Sequence, residues 1–230
     1  PFCNLDPRNT DREDLIGEGK FDFLLEQYRE LGFKGLGELC PNLPWDDPRM
    51  LNLLGSCERV GFPVTFHTIS PEYITYGVYD ELGLPGLETV LKKFPELKIF
   101  GHSAAFWSEI SGDLTKEEKD FYPSGPVVEG GAITRLMRKY PNLYGDLSGG
   151  SGLFALQRDP DHAWRFIDEF QDRLMFGMDC CSTTTVLDHV EWLTQARDDG
   201  NITEAAFEKI MWKNINEALD LNLDGEIENE

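Results

Sequence analysis

The stretch LPGLETVLKKFPELKIFGH, residues 84–102, decides the fold. Its first part has a proline near the start and apolar residues at helical spacing, which predicts a helix over 85–94. Its second part is a short apolar run, which predicts a strand over 97–102 that ends on His102. A helix leading directly into a buried strand is typical of a parallel α/β sheet.

The same unit repeats along the chain. Strands are predicted at FCNL near the start and over 33–39, 63–67, 97–102, 143–147 and 173–179. Helices are predicted over GKFDFLLEQYREL and over 47–60, 85–94, 131–140, 161–170, 184–198 and 203–219. Asp46 and Asp47 before Pro48 indicate an N-terminal cap with proline in the first turn of the helix over 47–60. This alternation indicates an α/β fold of the (β/α)8 TIM-barrel type. A barrel needs eight strands, so about six of its eight βα units are present here.

An acidic or imidazole side chain ends almost every predicted strand. Glu38, His67, His102, Asp146 and Asp179 follow one another at intervals of 29, 35, 44 and 33 residues. In a β/α barrel, the C-terminal ends of the strands converge on the face that holds the active site. Two imidazoles and several carboxylates gathered there are donors that suit a divalent metal.

The composition limits the partners and the compartment. The chain carries 21 basic and 42 acidic residues, a net charge of −21, which disfavours nucleic acid and anionic lipid as partners. The sequence contains no signal segment and no apolar run of about 18 residues, so no membrane association is expected. Five cysteines, an odd number without a CxxC motif, indicate a reduced cytoplasmic protein.

No internal domain boundary is visible, so residues 1–230 are predicted to form a single domain. The chain begins at Pro1, and PFCNLDP has the pattern of a strand end, so we expect the domain to be incomplete at its N-terminus. The longest irregular stretch, 104–130, follows the strand of His102. A loop of this length in a compact domain is usually functional, and this one is placed to cover the site.

The chain resembles the amidohydrolase-related group (amidohydrolase 2 type) of the metal-dependent hydrolase superfamily. The most specific matching segments are residues 84–102, quoted above, and RLMFGMD at 173–179. Further segments match in the right order: GFKGLGEL, GFPVTFHT, YPNLYGDLSGGSG, DRLMFGMDCC and EKIMWKNINEALDL. The resemblance implies a (β/α)8 barrel, metal-assisted hydrolysis or, as in some members, decarboxylation of aromatic or unsaturated acids. It also implies a homodimer.

The resemblance assigns roles to individual residues. His67 matches the metal-ligand histidine after strand 5, and His102 matches the histidine of strand 6, which binds a second metal or acts on the substrate. Asp179 matches the aspartate of strand 8, a metal ligand or general base. Glu38 matches, more loosely, the carboxylated lysine or glutamate after strand 4. The family's H-x-H pair at the end of strand 1 has no counterpart here, and we expect it upstream of Pro1.

Each metal-site assignment has a structural alternative. His67 fits a hydrogen-bonded histidine of the core. Asp179 fits the cap of a following helix, because aspartate is a favoured cap residue. Glu38 fits a buried carboxylate paired to a neighbouring strand.

Three further residues are predicted substrate contacts: Phe106, Trp107 and Asp146. The two aromatic rings follow His102 and suit a planar substrate, although core packing explains them equally well. Asp146 fits hydrogen bonding at a loop entrance as an alternative.

The leading prediction is a metal-dependent hydrolase that cleaves a carbon–nitrogen or ester bond of a small organic substrate. Glu38, His67, His102 and Asp179 are the predicted ligands of a divalent metal, zinc first, with manganese or iron as alternatives. Asp179 and His102 are also the predicted catalytic groups: Asp179 as general base, and His102 as the group that polarises the carbonyl or holds the leaving group. A metal-dependent decarboxylase of an aromatic or enoic acid, and an inactive barrel-derived binding module, are the alternatives.

Overall fold

The computed structural model of the protein describes residues 1–11, 20–73, 75–185 and 188–223. The strands in these residues are β1 (Leu36–Leu39), β2 (Pro41–Pro44), β3 (Val64–Ile69), β4 (Gly77–Tyr79), β5 (Ile99–His102), β6 (Leu143–Asp146) and β7 (Leu174–Met175). The main sheet runs β1–β3–β5–β6–β7, every pair is parallel, and Cys3 pairs with Leu36 beside β1. β4 pairs with the C-terminal end of β3, and β2 pairs in turn with β4, both in parallel. This parallel α/β sheet confirms the partial barrel predicted from the sequence.

Helices connect the strands. They are α1 (Lys20–Glu30), α2 (Pro48–Val60), α3 (Pro85–Lys93), α4 (Ala104–Trp107), α5 (Ala132–Lys139), α6 (Gly149–Gln157), α7 (Pro160–Phe170), α8 (His189–Asp198), α9 (Glu204–Glu208) and α10 (Asn214–Leu219). A π-helical turn, Lys209–Lys213, joins α9 to α10, and 3-10 helices span Pro7–Asp11 and Ser108–Ile110. Across the described ranges, every helix is too short or too polar to cross a bilayer.

Capping residues explain where α2 begins and ends. The Asp47 carboxylate accepts a hydrogen bond from the backbone N–H of Arg49, and Pro48 occupies the first turn, as predicted. Gly61 ends the helix at φ 78°, and its N–H donates to the carbonyl oxygens of Cys57 and Glu58. This left-handed conformation suits glycine, which has no Cβ to clash.

Alternation along the strands separates two apolar layers. One face carries a row of fully buried residues in register: Leu36, Val64, Ile99 and Leu143. The opposite face carries Phe100 and Met175, which pack with Ala218 of α10 in a second, smaller cluster. His67 and His102 follow two residues after Thr65 and Phe100, so both imidazoles lie on this second face.

Several elements differ from the prediction. The strand predicted over 173–179 is confined to Leu174–Met175, which leaves Asp179 in a loop. The short strands β2 and β4 were not predicted, because three or four residues carry too little periodicity. Helix α6 was not predicted, because its sequence begins with GGSG and glycine disfavours helices. The helix predicted over 184–198 begins at His189, and residues 186–187 lie outside the described part.

A buried ion pair anchors the long stretch 104–130. The Lys119 Nζ lies 2.6 Å from Glu109 Oε1, with the two side chains only 1% and 4% exposed. Glu109 Oε1 also accepts a hydrogen bond from the N–H of Gly83, at the approach to α3. The stretch predicted as one irregular loop therefore contains α4, a 3-10 helix and a charged anchor inside the core.

Candidate metal centre

Three neighbouring strands bring two imidazoles and a carboxylate to one point. Glu38 lies on β1, His67 on β3 and His102 on β5, and β3 pairs with both of the other strands. His67 and His102 are direct partners in the β3–β5 register. Residues separated by 29 and 35 positions in the chain therefore become neighbours through strand pairing.

The donor atoms of these residues form a compact set. His67 Nδ1 lies 2.8 Å from Glu38 Oε1, and His102 Nε2 lies 3.7 Å from the same oxygen. One ligand atom from each residue falls within 4.8 Å of the others. Donors about 2.0–2.3 Å from a zinc ion lie roughly 3–4 Å from one another, so the spacing and chemistry of this set fit a divalent cation.

Asp179 stands beside this set. It follows β7 with φ 46°, and its Oδ2 lies 3.7 Å from His102 Nε2. A Cβ at Gly149, the first residue of α6, would lie 2.9 Å from the same oxygen, so a larger residue there would push the Asp179 carboxylate aside. Residues 180–185, which follow Asp179, are not helical, so Asp179 does not cap a directly adjacent helix. Its carboxylate is positioned to join the cation ligands or to accept a proton beside them.

Asp146 lies behind His102, on the side away from the donor set. Its Oδ2 is 3.3 Å from His102 Nδ1 and accepts a hydrogen bond from the Ser148 hydroxyl at 2.9 Å. Ser148 Oγ also lies 3.2 Å from the same imidazole nitrogen, and the Ser148 N–H donates to Asp146 Oδ1. A carboxylate on the far nitrogen of a metal-binding histidine sets its tautomer and orientation. This contact gives Asp146 a structural role that does not require the predicted contact with substrate.

The charges of the site shift two pKa values. Burial alone would raise the pKa of Glu38, but the hydrogen bond from His67 and the charges of both imidazoles outweigh it and hold that pKa below its ordinary value. Burial alone would lower the pKa of His102, but hydrogen bonding to Asp146 and the charges of the surrounding carboxylates raise it above its ordinary value. The carboxylates thus favour a cation at this position.

The two aromatic residues predicted to contact substrate lie in the core. Phe106 is 0% exposed, and a Cβ on Gly101 would meet its ring at 2.1 Å. Trp107 is 1% exposed and donates from Nε1 to the backbone oxygen of Asp146. Their role in substrate binding stays a prediction that this burial does not favour. An aromatic ring does reach the centre, from Tyr76, a residue in an irregular segment with no periodic signal.

A protein-family model described as amidohydrolase matches residues 14–221. The chain belongs to the amidohydrolase family. This membership confirms the resemblance predicted from the sequence and, with it, a metal-dependent enzyme of the amidohydrolase type.

Solved structures share the fold of this amidohydrolase. The 2,6-dihydroxybenzoate decarboxylase from Rhizobium has a TM-score of 0.54 and 15% identity, over 96% of this chain and 71% of that protein. The 5-carboxyvanillate decarboxylase from Sphingomonas paucimobilis has a TM-score of 0.55 and 14% identity, over 95% of this chain and 66% of that protein. An amidohydrolase from Burkholderia multivorans with bound zinc has a TM-score of 0.54 and 16% identity, over 86% of this chain and 69% of that protein. No curated protein sequence matches the chain.

Proposed function

We propose that this amidohydrolase hydrolyses a carbon–nitrogen or ester bond of a small organic molecule with the help of a divalent metal. The observation that carries the proposal is the convergence of Glu38, His67 and His102 within 4.8 Å, with Asp179 beside them. Zinc is the proposed metal, since two imidazoles and carboxylates are ligands that it prefers, and manganese or iron accepts the same donors. The Burkholderia protein with bound zinc supports this choice.

Each residue has a part in this proposal. Glu38, His67 and His102 would hold the divalent ion, which when bound would lower the pKa of a water molecule to about 7 and so supply a nucleophile at neutral pH. Asp179 accepts the proton of the attacking water at its carboxylate, because that carboxylate borders the donor set and is 46% exposed. Asp146 holds the proton of His102 at Nδ1, so the lone pair of Nε2 is free to serve as one of the donors.

Decarboxylation of an aromatic or enoic acid at the same site is the second candidate. Two of the structures that share the fold are decarboxylases of aromatic acids. In this chain the aromatic ring of Tyr76 contacts His67. In that reaction the substrate loses CO2 and its carbon gains a proton, whereas hydrolysis consumes water. Release of CO2 from a panel of aromatic acids, against cleavage of esters and amides, separates the two reactions.

The remaining parts of the proposal rest on the sequence. A small molecule is the proposed substrate, without nucleic acid or membrane as partners, because the net charge is −21. A cytoplasmic location follows from the cysteine pattern, and a homodimer follows from the family resemblance.

Metal content tests the proposal. Elemental mass spectrometry on protein purified without chelator is expected to find one or two divalent ions per chain, and zinc titration by calorimetry gives the affinity. His67→Ala and Asp179→Asn are expected to lose most of the metal or of the turnover while the circular dichroism spectrum is retained. His162→Gln, in the buried histidine of α7, is the matched control and keeps the metal.

Two outcomes contradict the proposal. Full turnover in His67→Ala or Asp179→Asn would remove these residues from the site. A chain that takes up neither zinc, manganese nor iron would not be a metal-dependent hydrolase, and the hypothesis of an inactive binding module would replace the proposal.

A further inference from the structure

Exposed aromatic rings gather on the face of the metal centre. Exposed large apolar residues in the segments that follow β3, β5, β6 and β7 include Tyr73, Tyr76, Phe121, Tyr122, Phe154 and Met178. Most other aromatic side chains of the chain are buried or half-buried. A cluster of exposed apolar residues on one face is typical of a surface that binds a ligand or another macromolecule.

Tyr76 is the member of this group that contacts the metal centre. Its ring centroid lies 4.5 Å from that of His67, at an angle of 47° between the ring planes. Tyr76 remains 54% exposed, so part of its surface is accessible to a ligand.

The backbone on both sides of Tyr76 is clamped by one side chain. Asn42 on β2 donates from Nδ2 to the carbonyl oxygen of Thr75, and its Oδ1 accepts the N–H of Gly77, both at 2.9 Å. A hydrogen bond from the Ser70 N–H to the Asp120 carboxylate ties the start of the same segment to the neighbouring loop. Because its backbone is held in this way, the Tyr76 segment loses less conformational freedom than an unrestrained loop when a ligand packs on the ring.

We propose that Tyr76 is a specificity-determining residue whose exposed face selects a planar, unsaturated group over a saturated group of the same size. This inference rests on the proposed function, since it concerns the substrate of the same metal centre. A flat ring that lies on Tyr76 has its substituents within reach of His67 and the donor set. A puckered ring of equal carbon number makes fewer contacts with that face.

Benzoate and cyclohexanecarboxylate form the matched pair of probes, because they share a carboxylate and six ring carbons and differ in planarity. Binding of each to the zinc-loaded chain is measured by calorimetry. We expect the wild-type chain to bind benzoate about two- to tenfold more tightly, the range that an aromatic contact adds. Tyr76→Ala and Tyr76→Leu are expected to lose this preference, and Tyr76→Phe to keep it.

Controls separate the failure of this inference from the failure of the proposed function. Phe23→Ala changes an aromatic side chain of α1 that is 69% exposed and lies outside this cluster, and it is expected to keep the preference. Zinc affinity is measured in every variant and is expected to stay within about threefold of wild type. If zinc binds but Tyr76→Ala keeps the preference, or the wild-type chain shows none, the inference alone is overturned. If the wild-type chain binds no zinc, the proposed function and the inference fail together.

Discussion

Asp146→Asn tests whether a carboxylate behind the metal centre orients His102. Two contacts decide how the new amide sits. Oδ1 accepts the N–H of Ser148, so the amide oxygen must stay at that position. The amide nitrogen then replaces Oδ2, 3.3 Å from His102 Nδ1, and it donates a hydrogen bond where Asp146 accepted one. Neutral His102 must then carry its proton on Nε2, which faces Glu38 and Asp179 and is no longer free to bind a cation.

The size of the effect follows from burial. Loss of such an outer partner of a metal-binding histidine costs about 10- to 100-fold in metal affinity. The His102 and Asp146 side chains are only 10% and 21% exposed, so solvent screens their interaction weakly. We therefore expect the upper part of the range, about 30- to 100-fold, or about 2 to 3 kcal/mol.

Competitive zinc titration against a chelator of known affinity measures the change, and nitrogen-15 NMR of the imidazoles reports the tautomer of His102. Asp159→Asn is the matched control, because Asp159 caps α7 through the N–H of His162 and asparagine caps a helix equally well. A variant that folds like wild type and binds zinc as tightly would refute the orienting role. Asp146 would then return to its predicted role as a substrate contact.

The remaining predictions concern stability and the Tyr76 segment. Lys119→Ala leaves Glu109 buried without its partner and is expected to lower the free energy of unfolding by about 3 to 5 kcal/mol, measured in urea, and an unchanged midpoint would contradict this. Burial raises the pKa of Asp80 to about 6, against about 3.9 in an unfolded chain. The folded state therefore favours protonated Asp80, and the stability that this group contributes is present below about pH 4 and is lost as the pH rises through 6. Asp80→Asn should therefore gain stability relative to wild type between pH 4.5 and 6.5 in urea titrations, and a constant difference would refute the assignment. Asn42→Ala frees the backbone around Tyr76 and is expected to weaken the benzoate preference without loss of zinc affinity, and a retained preference would show that the clamp is unimportant.

The sequence alone predicted the parts of the molecule that depend on local patterns. Apolar runs alternating with helical periods predicted the parallel sheet, because burial of strands and one-sided burial of helices leave different periodicities. Pro48 and Asp47 predicted the start of α2, because capping involves residues close in sequence. The polar residues that end the strands predicted Glu38, His67 and His102 as neighbours, since parallel strands end on one face.

Local sequence patterns do not indicate the direction of a side chain in the segments that connect the strands. Phe106 and Trp107 come four and five residues after His102, yet the absence of a side chain at Gly101 leaves space that the buried Phe106 ring fills. Tyr76 lies in a segment without periodicity, and its contact with His67 exists only because Asn42, more than 30 residues earlier, holds the backbone there.

The sequence by itself determined which groups end the strands and therefore which chemistry is available: imidazole and carboxylate donors at one face of a parallel sheet. Only the tertiary structure decided how these groups are arranged around one another. The β3–β5 register placed His67 beside His102, the loop after β7 turned Asp179 toward them, and the end of β6 put Asp146 behind His102 rather than in the open site. The physical reason is that a side chain's residue type and period are local properties, whereas a metal centre depends on distances between strands far apart in the chain.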